Sequence, residues 1–383
     1  MNVLIVHPHI FAGGAEKAVL YLAKELNSMG HDCRIVTLSV KLADLPSFAH
    51  DLNYVLPTHT FMRRRITDTS SAVRLVIEET LALARLLHKN SVRCDVVNAH
   101  NCPSYLAASL SRSRNPVVWT CNEVFGLYDE SREVDKRNQA FHLSFKLGEW
   151  MERRLVKGID RIVTCSRRNA QLILDHYGLK SDVVSPGVDC DFFNDPPQVT
   201  PNPTRRNLIQ VGSLTPRKNN SLSIRILANL RRSIDVDLTI VGRGSYLGRL
   251  QEEAGRLGMA DHVLFRESVS EVALRNLYQR SDVNLFPCVD QSFGLVPFEA
   301  LASGTPSVVS STCGASEIFL ENRLGPVREP VVADFAEAAE DLLASDNVRE
   351  DYVSRGEGYL RSNMTWNGYA QKMLRIFENC VRR

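Results

Sequence analysis

The chain has 383 residues and a formal net charge of +2, with 46 Lys and Arg against 44 Asp and Glu. So even a balance offers no electrostatic footprint for nucleic acid, and a DNA- or RNA-binding role is not expected. With 44% hydrophobic and 23% charged residues the composition is that of an ordinary globular protein, and no apolar run reaches the roughly 18 residues that a membrane span needs.

A chain this long fills about two domains. Met1-Asn2-Val3-Leu4-Ile5-Val6-His7 lacks the basic flank and cleavage site of a signal peptide and reads as a first strand. The nine cysteines are scattered with no Cys-X-X-Cys pair. An odd, dispersed set fits free thiols in a reducing compartment, so a cytoplasmic protein is expected.

In chain order, the apolar run Val3 to Val6 is followed by Gly13-Gly14-Ala15-Glu16. Apolar residues then recur at helical spacing at Val19, Leu20, Leu22, Ala23 and Leu26, closing at Gly30. Cys33 to Leu38 returns as a strand, which completes a βαβ unit with a glycine-rich first turn. Glycines at such a turn let backbone approach a ligand, although a tight structural turn needs them as much. Residues 61–89 carry Arg63, Arg64 and Arg65 ahead of an amphipathic segment through Val73, Leu75, Val76, Ile77, Leu81, Leu83, Leu86 and Leu87. Two readings stand: a surface helix with a solvated basic end, or a surface laid against lipid phosphate.

Asp95-Val96-Val97-Asn98-Ala99-His100 and Val117-Val118-Trp119-Thr120-Cys121-Asn122-Glu123 are strands that end in polar residues. His100 at a strand end could order a hydroxyl or be a satisfied structural histidine. Residues 126–157 read as a charged connecting helix with Arg132, Lys136, Arg137, Lys146, Arg153 and Arg154. Arg161 to Ser166 ends a further strand, with Ser166 placed to cap the next helix. Four prolines lie between Asn194 and Pro203 and exclude a helix or central strand, so the domain boundary is expected there. The first domain is then 1–195, the linker 196–204, the second domain 205–360, and 361–383 a terminal helix.

The second half repeats the alternation. Asn207 to Leu214 is a strand with a Gly212 exit, followed by Thr215-Pro216-Arg217-Lys218-Asn219-Asn220. Leu238 to Ser245 is another, leaving through Gly242 and Gly244. Val263-Leu264-Phe265 is a short strand. Val283 to Phe286 is a buried strand that runs into Pro287-Cys288-Val289-Asp290-Gln291-Ser292-Phe293-Gly294-Leu295-Val296-Pro297-Phe298-Glu299. A helix is expected from about Gly294 to Ser303, with Pro297 tolerable in its first turn and Gly304 terminating it. Ligands of open parallel sheets bind at such strand ends.

Phe293-Gly294-Leu295 and Glu299-Ala300-Leu301-Ala302-Ser303-Gly304-Thr305-Pro306 resemble the donor-binding signature of retaining glycosyltransferases of family 4. Gly13-Gly14-Ala15-Glu16, Lys218-Asn219 and the Gly242-X-Gly244 exit match the same pattern. The resemblance covers nearly the whole chain and implies an α/β protein of the GT-B type, with two Rossmann-like domains whose parallel sheets face a central cleft. It also implies that the terminal helix 361–383 crosses back to the first domain, with Trp366 as its anchor. It implies transfer of a sugar from a nucleotide diphosphate sugar to a glycan or lipid-linked acceptor, with no cofactor and no metal. Glu299 would bind the ribose, Arg217 and Lys218 the leaving diphosphate, and Gln291 the sugar. Phe293, Gly294 and Leu295 complete the implied donor set with Gly242 and Gly244. Gly13 and Gly14 would close over the diphosphate, while His100 and Asn122 would line the sugar or acceptor pocket. Three positions depart from the family: Gln291 stands for a glutamate, and Asn98 and Asn122 for histidines. They open a second reading, a non-catalytic relative that binds a nucleotide sugar or supports a partner enzyme. Asp189-Cys190-Asp191 and Asp235-Val236-Asp237 read as caps or turns rather than metal ligands.

Overall fold

A computed structural model describes residues 1–59, 61, 69–90, 94–111, 115–124, 152–195 and 206–382. Arg63, Arg64 and Arg65, the proline-rich stretch 196–204 and most of the 126–157 segment lie outside the described residues. The chain divides into two compact units. Met1–Ser185 with Trp366–Arg383 form the first, and Pro186–Thr365 the second. The division falls between Ser185 and Pro186, ahead of the prolines on which the sequence places it.

The first unit is built on β1 (Asn2–Val6), β2 (His9–Ile10), α1 (Gly14–Ser28), β3 (Asp32–Val36), β4 (Ser39–Val40), β5 (Asn53–Val55), α2 (Thr69–Asn90), β6 (Val96–His100), α3 (Asn101–Leu110), β7 (Val117–Cys121), β8 (Arg161–Thr164), α4 (Arg167–Tyr177) and β9 (Asp182–Val183). Its main sheet has seven parallel strands in the order β5-β3-β1-β6-β7-β8-β9. Central strands of such a sheet are covered on both faces and therefore read as unbroken apolar runs. Val3, Leu4, Ile5 and Val6 are all fully buried, each adding about 1.5–3 kcal/mol of transfer free energy. Ser166 caps α4 by accepting the Asn169 N–H at 3.1 Å, and Gly178 at φ 70° closes that helix.

The second unit begins with the short α5 (Cys190–Phe193). It continues through β10 (Arg206–Val211), α6 (Asn220–Leu230), β11 (Val236–Val241), α7 (Leu247–Arg256), β12 (Val263–Arg266), α8 (Glu271–Gln279), β13 (Val283–Phe286), α9 (Val296–Ala302), β14 (Ser307–Ser310), α10 (Ala315–Asn322), β15 (Val327–Arg328), α11 (Val332–Ala344) and α12 (Asp346–Asn363). Its six strands are parallel in the order β12-β11-β10-β13-β14-β15. The order reverses between β10 and β13, so the loops that leave these two strands flank the switch point where such sheets take ligands. The last helix, α13 (Trp366–Val381), belongs to the first unit, where Trp366 stacks on Tyr21 with ring centroids 4.6 Å apart.

Both Asp-X-Asp sequences are engaged within the protein. Asp189 caps α5 through the Phe192 N–H at 3.0 Å, and Asp191 pairs with Arg361 at 2.8 Å. Asp235 pairs with Arg231, and Asp237 takes His262, each at 3.0 Å.

Candidate active site

In the second unit the site is made by three loops at strand ends. The loop after β10 turns at Gly212 and meets the loop after β11, with the Leu214 N–H donating to Arg243 O at 2.8 Å. A Cβ on Gly242 would lie 1.8 Å from the Gly212 carbonyl oxygen, and one on Gly244 2.2 Å from the Leu214 oxygen. These two glycines are thus required first for loop against loop, a close approach that no side chain permits.

A single 3-10 turn, Pro216–Lys218, follows, stopped by Asn219 at φ 52°. The turn is tied down from both sides. Gln210 donates to the Lys218 carbonyl at 2.7 Å, and Arg217 O accepts the Val289 N–H at 2.9 Å. Across this join Lys218 Nζ donates to Gln291 Oε1. Gln291 is itself held by the Gly314 N–H on its carbonyl at 2.9 Å, and the Ala315 N–H holds Phe293 O at 3.1 Å. Thr312 bridges the same loop, accepting the Asp290 N–H at 3.3 Å and donating to Cys288 O at 3.2 Å. Burial pushes the Cys288 thiol up to about 11, against the opposing pull of Lys218 and Arg217, so both cations act on this loop.

The helix after the loop is α9, which starts at Val296 rather than Gly294 and has seven residues. So short a helix has a small dipole, and the charge the site offers an anion is that of Lys218 and Arg217 more than of helix amides. Phe293 stacks on Phe298 at 5.4 Å, and Phe298 meets Phe319 at 5.3 Å, which fixes the pitch of α9. Gly294 has φ 108°, and a Cβ there would lie 2.4 Å from the Phe286 ring. Glu299 sits in the first turn of α9 and is 6% exposed. Burial, and then the Glu299 carboxylate, push the Tyr278 hydroxyl well above its usual range.

The first unit treats its expected residues differently. His100 is fully buried, with Nε2 2.8 Å from Asn98 Oδ1. The Asn98 amide donates to Val118 O at 3.0 Å and to Thr120 Oγ1 at 2.9 Å, so its oxygen faces the imidazole and His100 carries its proton on Nε2. Burial, then nearby His7, lowers the His100 pKa to about 3, which keeps the ring neutral. The asparagine in place of a family histidine is therefore a built part of the sheet interior. Asn122 donates its N–H to Asn101 Oδ1 at 3.1 Å and is half-buried at the end of β7. Gly13 is the residue before α1, in extended backbone, and Gly14 is exposed.

Sequence reasoning gave no backbone role to Asn219, Asp290 or Asn101, all with φ between 50° and 55°. Asn219 and Asp290 stand in the loops after β10 and β13, and Asn101 is the first residue of α3. Left-handed backbone in a residue other than glycine costs about 1 kcal/mol or more and is concentrated at functional loops. Asn and Asp just beyond an apolar run were the signal available for them.

Two family models match. "Glycosyltransferase Family 4" covers residues 12–192 and "Glycosyl transferases group 1" covers residues 191–358, so together they span both units. The chain belongs to glycosyltransferase family 4. Among curated relatives, this glycosyltransferase is 30% identical over 232 residues to a GDP-mannose-dependent alpha-(1-6)-phosphatidylinositol monomannoside mannosyltransferase of Mycolicibacterium smegmatis. That match spans 56% of this chain and 61% of the relative. It is 28% identical over 370 residues to a D-inositol 3-phosphate glycosyltransferase of Paenarthrobacter aurescens, covering 89% of this chain and 86% of the relative. Among solved structures, sucrose-phosphate synthase from Thermosynechococcus elongatus matches with a TM-score of 0.80 at 16% identity, over 99% of this chain and 98% of that one. At that identity the likeness speaks for the fold, which is GT-B.

Proposed function

We propose that this family 4 enzyme moves a sugar from a nucleotide diphosphate sugar to a glycan or lipid-linked acceptor, with retention at the anomeric carbon and without a metal. The observation that carries the reading is the Lys218–Gln291 contact inside the anchored loops. As the bond from the anomeric carbon to the β-phosphate oxygen breaks, negative charge gathers on the leaving diphosphate. The Lys218 ammonium and Arg217 guanidinium oppose that charge where it grows, the form of stabilisation that lowers a barrier. A glutamate at position 291 would pair with Lys218 and consume part of its charge. The neutral amide holds the lysine in place and leaves the charge for the ligand. Glu299 is assigned the ribose, and Gln291 the sugar hydroxyls. The acceptor hydroxyl forms the new bond, and its proton leaves with the nucleoside diphosphate.

The named substrates of the relatives are a phosphatidylinositol mannoside and an inositol phosphate. They support a polyol or lipid-linked acceptor here. One face of α2 supports a peripheral membrane contact, for Arg74, Ile77, Leu81 and Arg85 are exposed at successive turns of the helix. No described helix is long and apolar enough to cross a membrane. The free, dispersed cysteines support a cytoplasmic site of action at the membrane face.

The second reading, a relative that binds without turnover, draws on Gln291 together with Asn98 and Asn122. One experiment separates the two. The enzyme is incubated with nucleotide sugars and a panel of polyol and lipid-linked acceptors, and the anomeric proton of any product is read by NMR. A product with the donor's anomeric configuration is expected. An inverted product, or donor bound with no product at all, contradicts the proposal.

A further inference from the structure

Away from the donor site, the first unit brings a serine, a histidine and a glutamate into line. β2 and β4 pair as a short parallel ribbon with His9 opposite Ser39, and Ser39 Oγ lies 2.7 Å from His9 Nδ1. On the other edge of the ring, His9 Nε2 lies 2.9 Å from Glu79 Oε1 on α2. His9 and Glu79 are 6% and 5% exposed, whereas Ser39 is only half-buried. The ribbon is tied down around them. His7 Nδ1 donates to His9 O at 2.8 Å, and Thr37 Oγ1 lies 3.1 Å from Pro8 O and 3.2 Å from Ser39 O. The sugar transfer calls on none of these side chains, for Arg217, Lys218, Gln291 and Glu299 all belong to the second unit.

The roles in this line follow from what each group can donate. A carboxylate only accepts, so the Nε2 of a neutral His9 carries the ring proton. Nδ1 is then a lone pair, and the Ser39 hydroxyl aims its proton at it. A hydroxyl, a base and an orienting carboxylate stand in the order that nucleophilic catalysis uses. The two ring nitrogens exchange places relative to the common serine-hydrolase arrangement, where Nε2 serves the serine. Either nitrogen can take a proton, so the exchange alters the direction of approach and not the chemistry. With Ser39 half-buried and the Phe61 ring 6.0 Å from that of His9, the surroundings suit a small acyl group.

We propose that Ser39 is a nucleophile that hydrolyses short-chain activated carboxylic esters, with His9 as its base and Glu79 positioning the ring. Ser39 Oγ bonds to the ester carbonyl carbon while its proton passes to His9 Nδ1. The bond from that carbon to the leaving oxygen breaks, and the leaving oxygen takes the proton from Nδ1. Water then attacks the acyl-serine and gives a proton to Nδ1. That proton returns to Ser39 Oγ as the carboxylic acid departs. Glu79 stabilises the imidazolium formed in each half of the cycle.

The test treats the full-length protein, in mildly alkaline buffer, with p-nitrophenyl acetate and separately with a fluorophosphonate. Release of p-nitrophenolate is followed by absorbance, and the modified residue is located by mass spectrometry of peptides. The acetyl and phosphonyl groups are expected on Ser39 and not on Ser47, an exposed serine of the same unit. Ser39→Ala should abolish both labels, and His9→Asn should slow acylation at least about a hundredfold. Glu79→Gln should slow it about tenfold at saturating ester while leaving the half-saturating ester concentration unchanged. The comparison of Ser39 with Ser47 is made in the wild type, so it decides the matter even where a buried substitution unfolds the protein. A wild type labelled on neither serine, or equally on both, overturns the proposal. So does a folded His9→Asn protein acylated on Ser39 at the wild-type rate.

Discussion

Lys218 and Gln291 are 73 positions apart and meet through side chains alone. The loops that carry them are fixed by backbone bonds, so changing either side chain tests the contact without dismantling its frame. Lys218→Ala is expected to weaken nucleoside diphosphate binding about tenfold or more, roughly 1.4 kcal/mol, while leaving the affinity for free sugar nearly unchanged. Gln291→Glu is expected to weaken diphosphate binding as well, by pairing with the lysine. Calorimetry with GDP and UDP on the three proteins reads both effects. Tighter diphosphate binding by Gln291→Glu would mean that the pocket lacks a negative charge rather than sparing a positive one. At this scale motifs of fixed spacing single out Lys218, Gln291 and Glu299, and the structure brings the first two of them together. His100 was not legible in this way. Its burial and tautomer are set by Asn98, Val118 and Thr120, whose meeting depends on strand pairing rather than on spacing.

The helices show both success and failure of periodicity. In α1 six successive residues, Ala18 to Ala23, are buried together with Leu26, so this stretch of the helix is covered all round rather than on one face. In α9 the pattern misplaces the start by two residues, because Gly294 at φ 108° and the stacking of Phe293 on Phe298 hold the chain in a turn before it winds. The strands Asp182–Val183 and Val327–Arg328 are two residues each and carry no period to read. The amphipathic pattern of α2 is legible, but the choice between its two readings is not, since it turns on which side chains stay exposed and on what they meet. Ile77 is 53% and Leu81 45% exposed, with Arg74 and Arg85 exposed on the turns to either side. Two aliphatic side chains between two cations suit the boundary between acyl chains and anionic headgroups. The protein is expected to co-sediment with vesicles containing phosphatidylinositol and to bind neutral phosphatidylcholine vesicles weakly. Ile77→Asp with Leu81→Asp should lower the bound fraction about tenfold without altering the melting temperature by more than a few degrees. Equal binding by this variant would make α2 an ordinary surface helix.

Across the whole molecule, each unit closes a parallel sheet of its own with its own buried core. Alternating strands and helices made this architecture legible, because a parallel sheet needs a crossover after nearly every strand. The division was less so. Prolines mark where a chain cannot be regular, whereas the units part where packing changes sides, between Ser185 and Pro186. The chain enters the first unit again at Trp366.

We propose that the second unit holds a nucleotide diphosphate sugar on Lys218, Arg217 and Glu299 without a metal. The most direct test is calorimetric titration of the wild type and Glu299→Ala with UDP-, GDP- and ADP-sugars in the absence of divalent cations. Saturable binding of one donor by the wild type is expected, weakened at least about tenfold in Glu299→Ala. Binding of none of the donors, or binding only once a divalent metal is supplied, would contradict it.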